Sequence, residues 1–573
     1  MVINMKKRIL AALLAAMMAI SVTACGSGGE SSSSESSGNE KSESSSESSS
    51  VEASSGTATE VVWDAYTPYD ETVTFTKCRA KPTYDQNFAE GDDITNNPYT
   101  RYVLDEVNVN TELAWETDPN TYDQKVSLSI ASGDIPDMML VNRQIFKQLV
   151  QNNLIQDMGE AYEKCISPFL KPQFDSYGSA PFDACTVDGK LMGIPEPRLY
   201  GSNVGVVWVR TDYLEKVGME MPKTMADVAA VAKAFKEQDV SGTGKTIGLT
   251  ISEKVATAAG GNYDMLSAFN AVGAYPGYWV EGEGGKAVYG STLPEMKTTL
   301  KTLSEMYAEG TLDKEFAVRK QTDRSALVAS GQTGLLFSGW WPEGSMGDCV
   351  INNQEADWAP IVLRGENGKI EVAQDDPISQ ILVVRNGYEH PEAIVKVLNT
   401  TYDALRGNGQ GKRCFDDITK NYPTMDWSVC CIPMAIDYYD SIGKLADDLD
   451  QALAKGDKNA MEMPQYGLTY DLIMDERANP KTDAATYMNT MARTVGSMAI
   501  QPSHFDYISV KPMAYFGKTE TMVSKWANLE KLEQEMMVQI ITGERPLDYF
   551  EEFVTQWYAM GGQTITDEVN AEK

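Results

Sequence analysis

Apolar and polar positions alternate along this chain in two periods, and from about residue 70 the two periods take turns. Val73-Thr74-Phe75-Thr76 has the β-branched, period-two character of a strand. A polar loop through Asn96-Asn97-Pro98 follows, and residues 100–107 then place Tyr102, Val103 and Val107 on one side of a helix. Residues 109–115 predict the next strand. Residues 122–131 predict the next helix, with Val126, Leu128 and Ile130 as its apolar positions and Ser132-Gly133 as its stop. A short buried strand over 136–141 leads into a helix over 144–150. The alternation recurs as strand 204–209, helix 224–236 with Met225, Val228, Val231 and Phe235, strand 246–250, helix 293–309 and strand 335–337. Strand 381–384 then precedes a helix over 391–400 that has Pro391 in its first turn. The C-terminal region is mainly helical, over 519–542 and 547–560. Strand–helix–strand spacing of this kind predicts crossover units and largely parallel sheets, arranged as two α/β lobes with a helical finish.

The first sixty residues carry no such pattern. Lys6, Lys7 and Arg8 precede an apolar run over 9–20, which is well short of the ~20 residues a spanning helix needs and reads as a secretory signal over 1–24. The run ends in Val22-Thr23-Ala24-Cys25-Gly26, which resembles the lipobox of bacterial lipoproteins, so Cys25 is the expected lipidation site. Residues 25–58 are Ser/Glu low complexity with almost no large apolar side chain, the composition of a disordered tether with a reach of ~30 Å. A leash between lipid and folded domain suits the outer face of a Gram-positive membrane.

Composition narrows the chemistry. A length of 573 residues, 42% hydrophobic, calls for more than one folded unit. The formal charge of −33 argues against nucleic-acid and anionic-membrane partners, so membrane contact is expected through the lipid alone. Only two histidines occur, His390 and His504, which leaves no histidine cluster for zinc and little scope for a Ser-His or Cys-His mechanism. No cofactor and no metal are expected. Besides Cys25, the cysteines are Cys78, Cys165, Cys185, Cys349, Cys414, Cys430 and Cys431; none has CxxC spacing, and burial as small hydrophobes is their default.

Several segments resemble extracellular solute-binding proteins that feed ABC importers. They include Ala131-Ser-Gly-Asp-Ile-Pro-Asp137, Asp188-Gly-Lys-Leu-Met-Gly-Ile-Pro195 and Val207-Trp-Val-Arg-Thr-Asp-Tyr-Leu214. Tyr307-Ala-Glu-Gly310, Asp313-Lys-Glu-Phe316, His390-Pro-Glu-Ala393 and the closing segment from Gly561 to Asn570 extend the likeness over residues 70 to 570. The carbohydrate-binding branch, with its maltose- and alginate-oligosaccharide-binding members, is the most similar. The resemblance implies a two-lobed type II periplasmic-binding-protein fold, its lobes joined by two or three crossing segments. Residues 59–203 and 380–510 would form lobe 1, and residues 204–379 and 511–573 lobe 2. It further implies a monomeric, non-enzymatic protein with an oligosaccharide ligand and the permease subunits of an importer as partners.

A sugar offers apolar C–H faces and a rim of hydroxyls, so its pocket needs flat aromatic rings and fixed polar groups. Ten Trp and 27 Tyr supply rings in plenty. Trp340 and Trp341 follow the strand 335–337, where ligands gather in α/β folds; adjacent side chains diverge, so one can be core while the other faces the pocket. Asn142 and Arg143 hold the matching place after the first-lobe strand, though Asn142 equally suits a helix cap. Tyr263 and Asp264 follow a Gly260-Gly261 break. Trp427 and Tyr515-Phe516 complete the expected ligand contacts, while Trp208 reads as core. Gly242-Thr-Gly-Lys-Thr246 is no phosphate loop, because Asp239 stands where that motif needs its first glycine and a helix precedes it. The same stretch matches the calcium loop of alginate-binding relatives but keeps Asp239 as its one carboxylate, so a plain turn is expected. An exported carbohydrate-active hydrolase or lyase, and a peptide-binding importer component, remain open at this point.

Overall fold

The computed structural model describes residues 62–82, 88–199, 204–258, 260–422, 425, 427–463, 466–500 and 508–573. The signal, Cys25 and the tether lie outside the described residues. Among the described residues no helix is long and apolar enough to cross a membrane.

The strands of the two main sheets are β1 (Val73–Ala80), β2 (Val109–Thr117), β3 (Met138–Val141), β4 (Ile194–Pro197), β5 (Val206–Arg210), β6 (Leu335–Ser338), β7 (Trp358–Ile361) and β8 (Ile378–Val384). The helices that matter most are α1 (Pro98–Val107), α2 (Arg143–Gln151), α3 (Met225–Glu237), α4 (Met296–Ala308), α5 (Pro391–Arg406) and α6 (Glu520–Thr542). Local chemistry sets their ends. Asn97 caps α1 in a capping box with Thr100, and Thr224 does the same for α3 with Asp227. Pro391 opens α5, and Gly407, at φ 64, closes it in the left-handed conformation.

The first sheet runs β2-β1-β3-β8-β4. β1 pairs in parallel with β2 and β3, whereas β8 runs antiparallel to both β3 and β4. The second sheet, β6-β5-β7, is antiparallel throughout. Within these two sheets the expectation of largely parallel pairing therefore holds only for the β2-β1-β3 part; residues 370–373 and 508–511 also pair in parallel, as a separate two-stranded sheet. The chain passes to the second sheet after β4 and returns at β8, so a strand arriving from the other lobe can enter against its neighbours' direction. Hydrophobic period carries no direction. The strand expected over 246–250 is likewise absent; that run makes a single bridge, Leu249 to Leu312.

Two cores result. Phe75, Val103, Leu140, Leu382 and Val397 lie together under the first sheet. Val207, Leu300, Leu335, Met536 and Trp557 fill the second, which joins α4 to α6. Met296, Leu300 and Leu303 sit on one stripe of α4, and burying side chains of this size stabilises by roughly 1.5–3 kcal/mol each. On the other face of the second sheet, Ile442, Tyr487 and Ile500 share a core with Trp208 and Trp358, although their sequence positions fall within the 380–510 stretch expected in lobe 1.

Backbone bonds tie the crossings to one another. Arg198 N–H donates to the Pro377 carbonyl, and Gln374 N–H to that of Lys511. Seven cysteines are free thiols in buried positions.

Candidate functional site

β6 ends at Ser338, and the next residues are fixed from three sides. Ser338 Oγ donates to Asn262 Oδ1 at 2.6 Å, and Trp208 Nε1–H donates to the Gly339 carbonyl at 3.1 Å. Gly496 lies so close that an added Cβ would stand 1.9 Å from the Trp340 carbonyl oxygen. The Trp341 ring folds back over Gly339, where a Cβ would fall 2.6 Å from it. The two indoles meet edge to face, with centroids 5.7 Å apart and planes at 87°. Trp340 is half-buried against the Trp208 core and carries the Arg493 guanidinium 4.9 Å from its ring centroid, while Trp341 is 41% exposed.

Trp340 and Trp427 line one cavity of about 390 Å³, together with Tyr402, Arg406, Asp437 and Arg493. Trp427 also borders a second cavity of about 440 Å³ at the end of β1, whose wall includes Lys77, Arg79, Tyr122 and Gln380. Trp427 lines both cavities, which makes them neighbours. Trp427 is 42% exposed.

The other expected residues lie elsewhere. Asn142 caps α2, accepting from Ile145 N–H at 3.0 Å and donating to Asp123 at 2.8 Å. Arg143 forms a two-bond pair with Asp376, at 2.6 and 2.7 Å, and stands over the Phe516 ring. Tyr515 and Phe516 border a separate cavity of about 1040 Å³ that also meets Arg198, Asp376, Trp279 and Trp526. Tyr263 is 1% exposed; its φ is 66°, and its N–H reaches the Phe337 carbonyl, pinning the 260–264 loop to β6. Asp264 accepts from Thr257 N–H and Oγ1 and from Leu266 N–H, and burial lifts its pKa to about 7. It borders a small crevice with Gly260, Gly261 and Trp341. Strand-end loops thus bring Trp341 and Asp264 to one crevice, and the short turn Trp427–Val429 brings Trp427 to the cavity that Trp340 also lines.

Reasoning from sequence passed over Lys77, Arg79 and Arg493. Lys77 and Arg79 are 4% and 6% exposed and occupy alternate positions on one face of β1. Lys77 Nζ donates to the Cys431 carbonyl and Arg79 to that of Ser428, so both hold the turn that carries Trp427. Burial pushes the Lys77 ammonium below its ordinary pKa, with the Arg79 charge adding to the effect. Burial also lowers Arg493. Two cations inside a β-rich run of so acidic a chain were the available signal. The 239–248 turn is closed by Asp239 itself, which accepts from Gly244 N–H and Thr246 Oγ1.

Two α/β lobes linked by bonded crossings, with a cavity walled from both, define a two-lobed binding protein. A family profile described as "Bacterial extracellular solute-binding protein" matches residues 94–403, and the chain belongs to that family. It is 25% identical over 480 residues to lipoprotein LipO of Bacillus subtilis (strain 168), covering 80% of this chain and 85% of LipO. It is 28% identical over 251 residues to the polygalacturonan/rhamnogalacturonan-binding protein YtcQ of the same organism, covering 42% of this chain and 45% of YtcQ. Among solved structures, an HMO-binding, ABC-transporter-associated solute-binding protein from Bifidobacterium longum infantis superposes with a TM-score of 0.60 at 15% identity, covering 88% and 98% of the two chains.

Proposed function

We propose that this chain is the substrate-binding lipoprotein of an ABC importer, that it captures an oligosaccharide between its lobes, and that it delivers it to the membrane permease. The observation that carries this reading is the cavity walled by Trp340 from one lobe and Trp427 from the other, with Trp341 exposed beside it. Rings at such angles suit the faces of successive sugars, and adjacent carboxylate, tyrosine and arginine groups suit their hydroxyls. Closure of the lobes on a bound sugar would present the permease with a distinct state. The names of YtcQ and of the Bifidobacterium protein support a saccharide ligand. Trp340, Trp341, Trp427 and Asp264 form the proposed contact set, with Tyr515 and Arg143 at the edge of the larger neighbouring cavity. Lipidation of Cys25 would hold the monomer at the outer face of a Gram-positive membrane.

The test is an oligosaccharide panel titrated by calorimetry, with product analysis after prolonged incubation. Binding with a rise in melting temperature and intact sugar is the expected result. Cleavage would replace the transport reading with a hydrolase, and binding of peptides alone would redirect it. Cys25→Ala should shift the protein from the detergent phase to the medium or leave it unprocessed; retention equal to wild type would refute the anchor.

A further inference from the structure

The two cavities that share Trp427 are lined by Lys77 and by Arg493, cations that meet no matching anion among the described residues. Among the described residues, no carboxylate stands within ion-pair distance of Lys77 or of Arg493. An ammonium has three N–H donors, and the structure gives Lys77 one acceptor, the Cys431 carbonyl. Its titratable neighbours are Arg79, a second buried cation, and the thiols of Cys430 and Cys431, which burial keeps in their neutral form. Arg493 stands over Trp340, 4.9 Å from its ring centroid, and among the described residues no side-chain hydrogen bond engages its five N–H groups. Arg406 and Asp437 both act on it electrostatically, and those two already pair with each other at 3.1 Å. Among the described residues, each cavity therefore holds a cation in excess inside a protein of charge −33.

Buried charges are normally paired, because taking an ion out of water is costly. An excess cation in a solute-binding cleft is paired when the solute brings the anion. The distant acidic surface opposes this only weakly, since charges beyond the Debye length of ~8 Å are screened while those inside the cleft are not. A guanidinium stacked on an indole keeps its edge free, and that edge matches the two oxygens of a planar carboxylate.

We propose that the solute is a carboxylate-bearing oligosaccharide, one acidic group meeting Lys77 beside Arg79 and another meeting Arg493 on the far side of Trp427. This rests on the saccharide reading above and adds the charge of the ligand to it. Lys77 and Arg493 are then specificity-determining residues, while Trp340 and Trp427 serve the sugar rings between them.

The experiment titrates the mature chain, by calorimetry, with short oligomers of galacturonic, mannuronic and glucuronic acid, each beside its neutral methyl ester, and with neutral and sulfated oligosaccharides. At least one acidic oligomer should bind about 10- to 100-fold more tightly than its ester. Lys77→Met and Arg493→Gln should each weaken the acid about 5- to 50-fold, leave the ester nearly unchanged and so narrow the gap. Without ligand, Lys77→Met should melt at the wild-type temperature or higher, because it removes an unmatched buried charge. Esters or neutral sugars binding as well as the acids would overturn the proposal and leave the saccharide reading standing. Preference for sulfated sugars would overturn the carboxylate. A Lys77→Met protein that melts several degrees lower while keeping full acid-over-ester selectivity would show Lys77 to be only a staple for the Trp427 turn. Failure of every saccharide would defeat both readings.

Discussion

The loops that follow β3 and β6 each come at the end of a strand, one in each main sheet, yet they do different things. After β3 the polar groups are already engaged: Asn142 is absorbed by the cap of α2 and Arg143 by its two-bond pair with Asp376. After β6, by contrast, two large rings follow one another, and one of them is 41% exposed. A strand end becomes part of the framework when its side chains find partners within the protein, and a contact surface when they do not. Hydrogen-bonding groups settle readily in place, whereas an indole that cannot enter the core stays open to a ligand.

The largest effect expected is on pH dependence, through the loop that supports the β6 side. Burial raises Asp264 to about 7, so the folded state holds a proton that the unfolded chain releases above pH ~4. Its contribution is greatest below that pH, declines as pH rises through about 7 and is flat beyond, spanning at most about 4 kcal/mol. Asp264→Asn should flatten that part of the urea-unfolding profile between pH 4 and 8, and an unchanged slope would show that Asp264 is ionised in the fold. Glu533, also raised to about 7 by burial, should give a parallel slope that Glu533→Gln removes.

Arg143→Met tests the β3 side. It strands Asp376, so stability should fall by about 1–3 kcal/mol, with both groups only partly screened from water. Full stability with lost ligand affinity would instead place Arg143 among the ligand contacts. For the β6 side the order reverses. Trp341→Ala or Trp340→Ala should weaken oligosaccharide binding by ~1–3 kcal/mol, roughly 5- to 150-fold. Trp341→Ala should lower the melting temperature less than Trp340→Ala, because Trp341 is 41% exposed and Trp340 half-buried. If both variants melt far lower and bind normally once folded, the contrast between the loops is false.

Smaller effects sharpen the picture. Asn142→Ala should cost about 1 kcal/mol of stability as a lost cap and leave affinity alone. Calcium or a chelator should scarcely shift the melting temperature, because the Asp239 carboxylate already closes its own turn. A fall of several degrees with chelator would show a bound ion there.

Much of this was written in local chemistry. The helix over 519–542 differs from α6 (Glu520–Thr542) by one residue at its start, since a Thr cap and the apolar stripe both act within a turn or two. The rings of Trp340 and Trp341, placed just past an apolar strand, were legible for the same reason. Strand direction was not: β8 runs against β3 and β4 where the chain re-enters the first sheet, and β5 runs against both β6 and β7, a property of the path rather than of the period. Nor could spacing show that Tyr263, just after the Gly260-Gly261 break, is buried against β6. What the sequence by itself determined was the family, the elements and the kinds of side chain available, each set by interactions a few residues long. Only the tertiary structure decided which charges were left without a counter-charge among the described residues. Lys77 and Arg493 are more than four hundred positions apart on the chain, and they line cavities that share Trp427 only because the fold brings β1, the Trp427 turn and the 492–496 segment together.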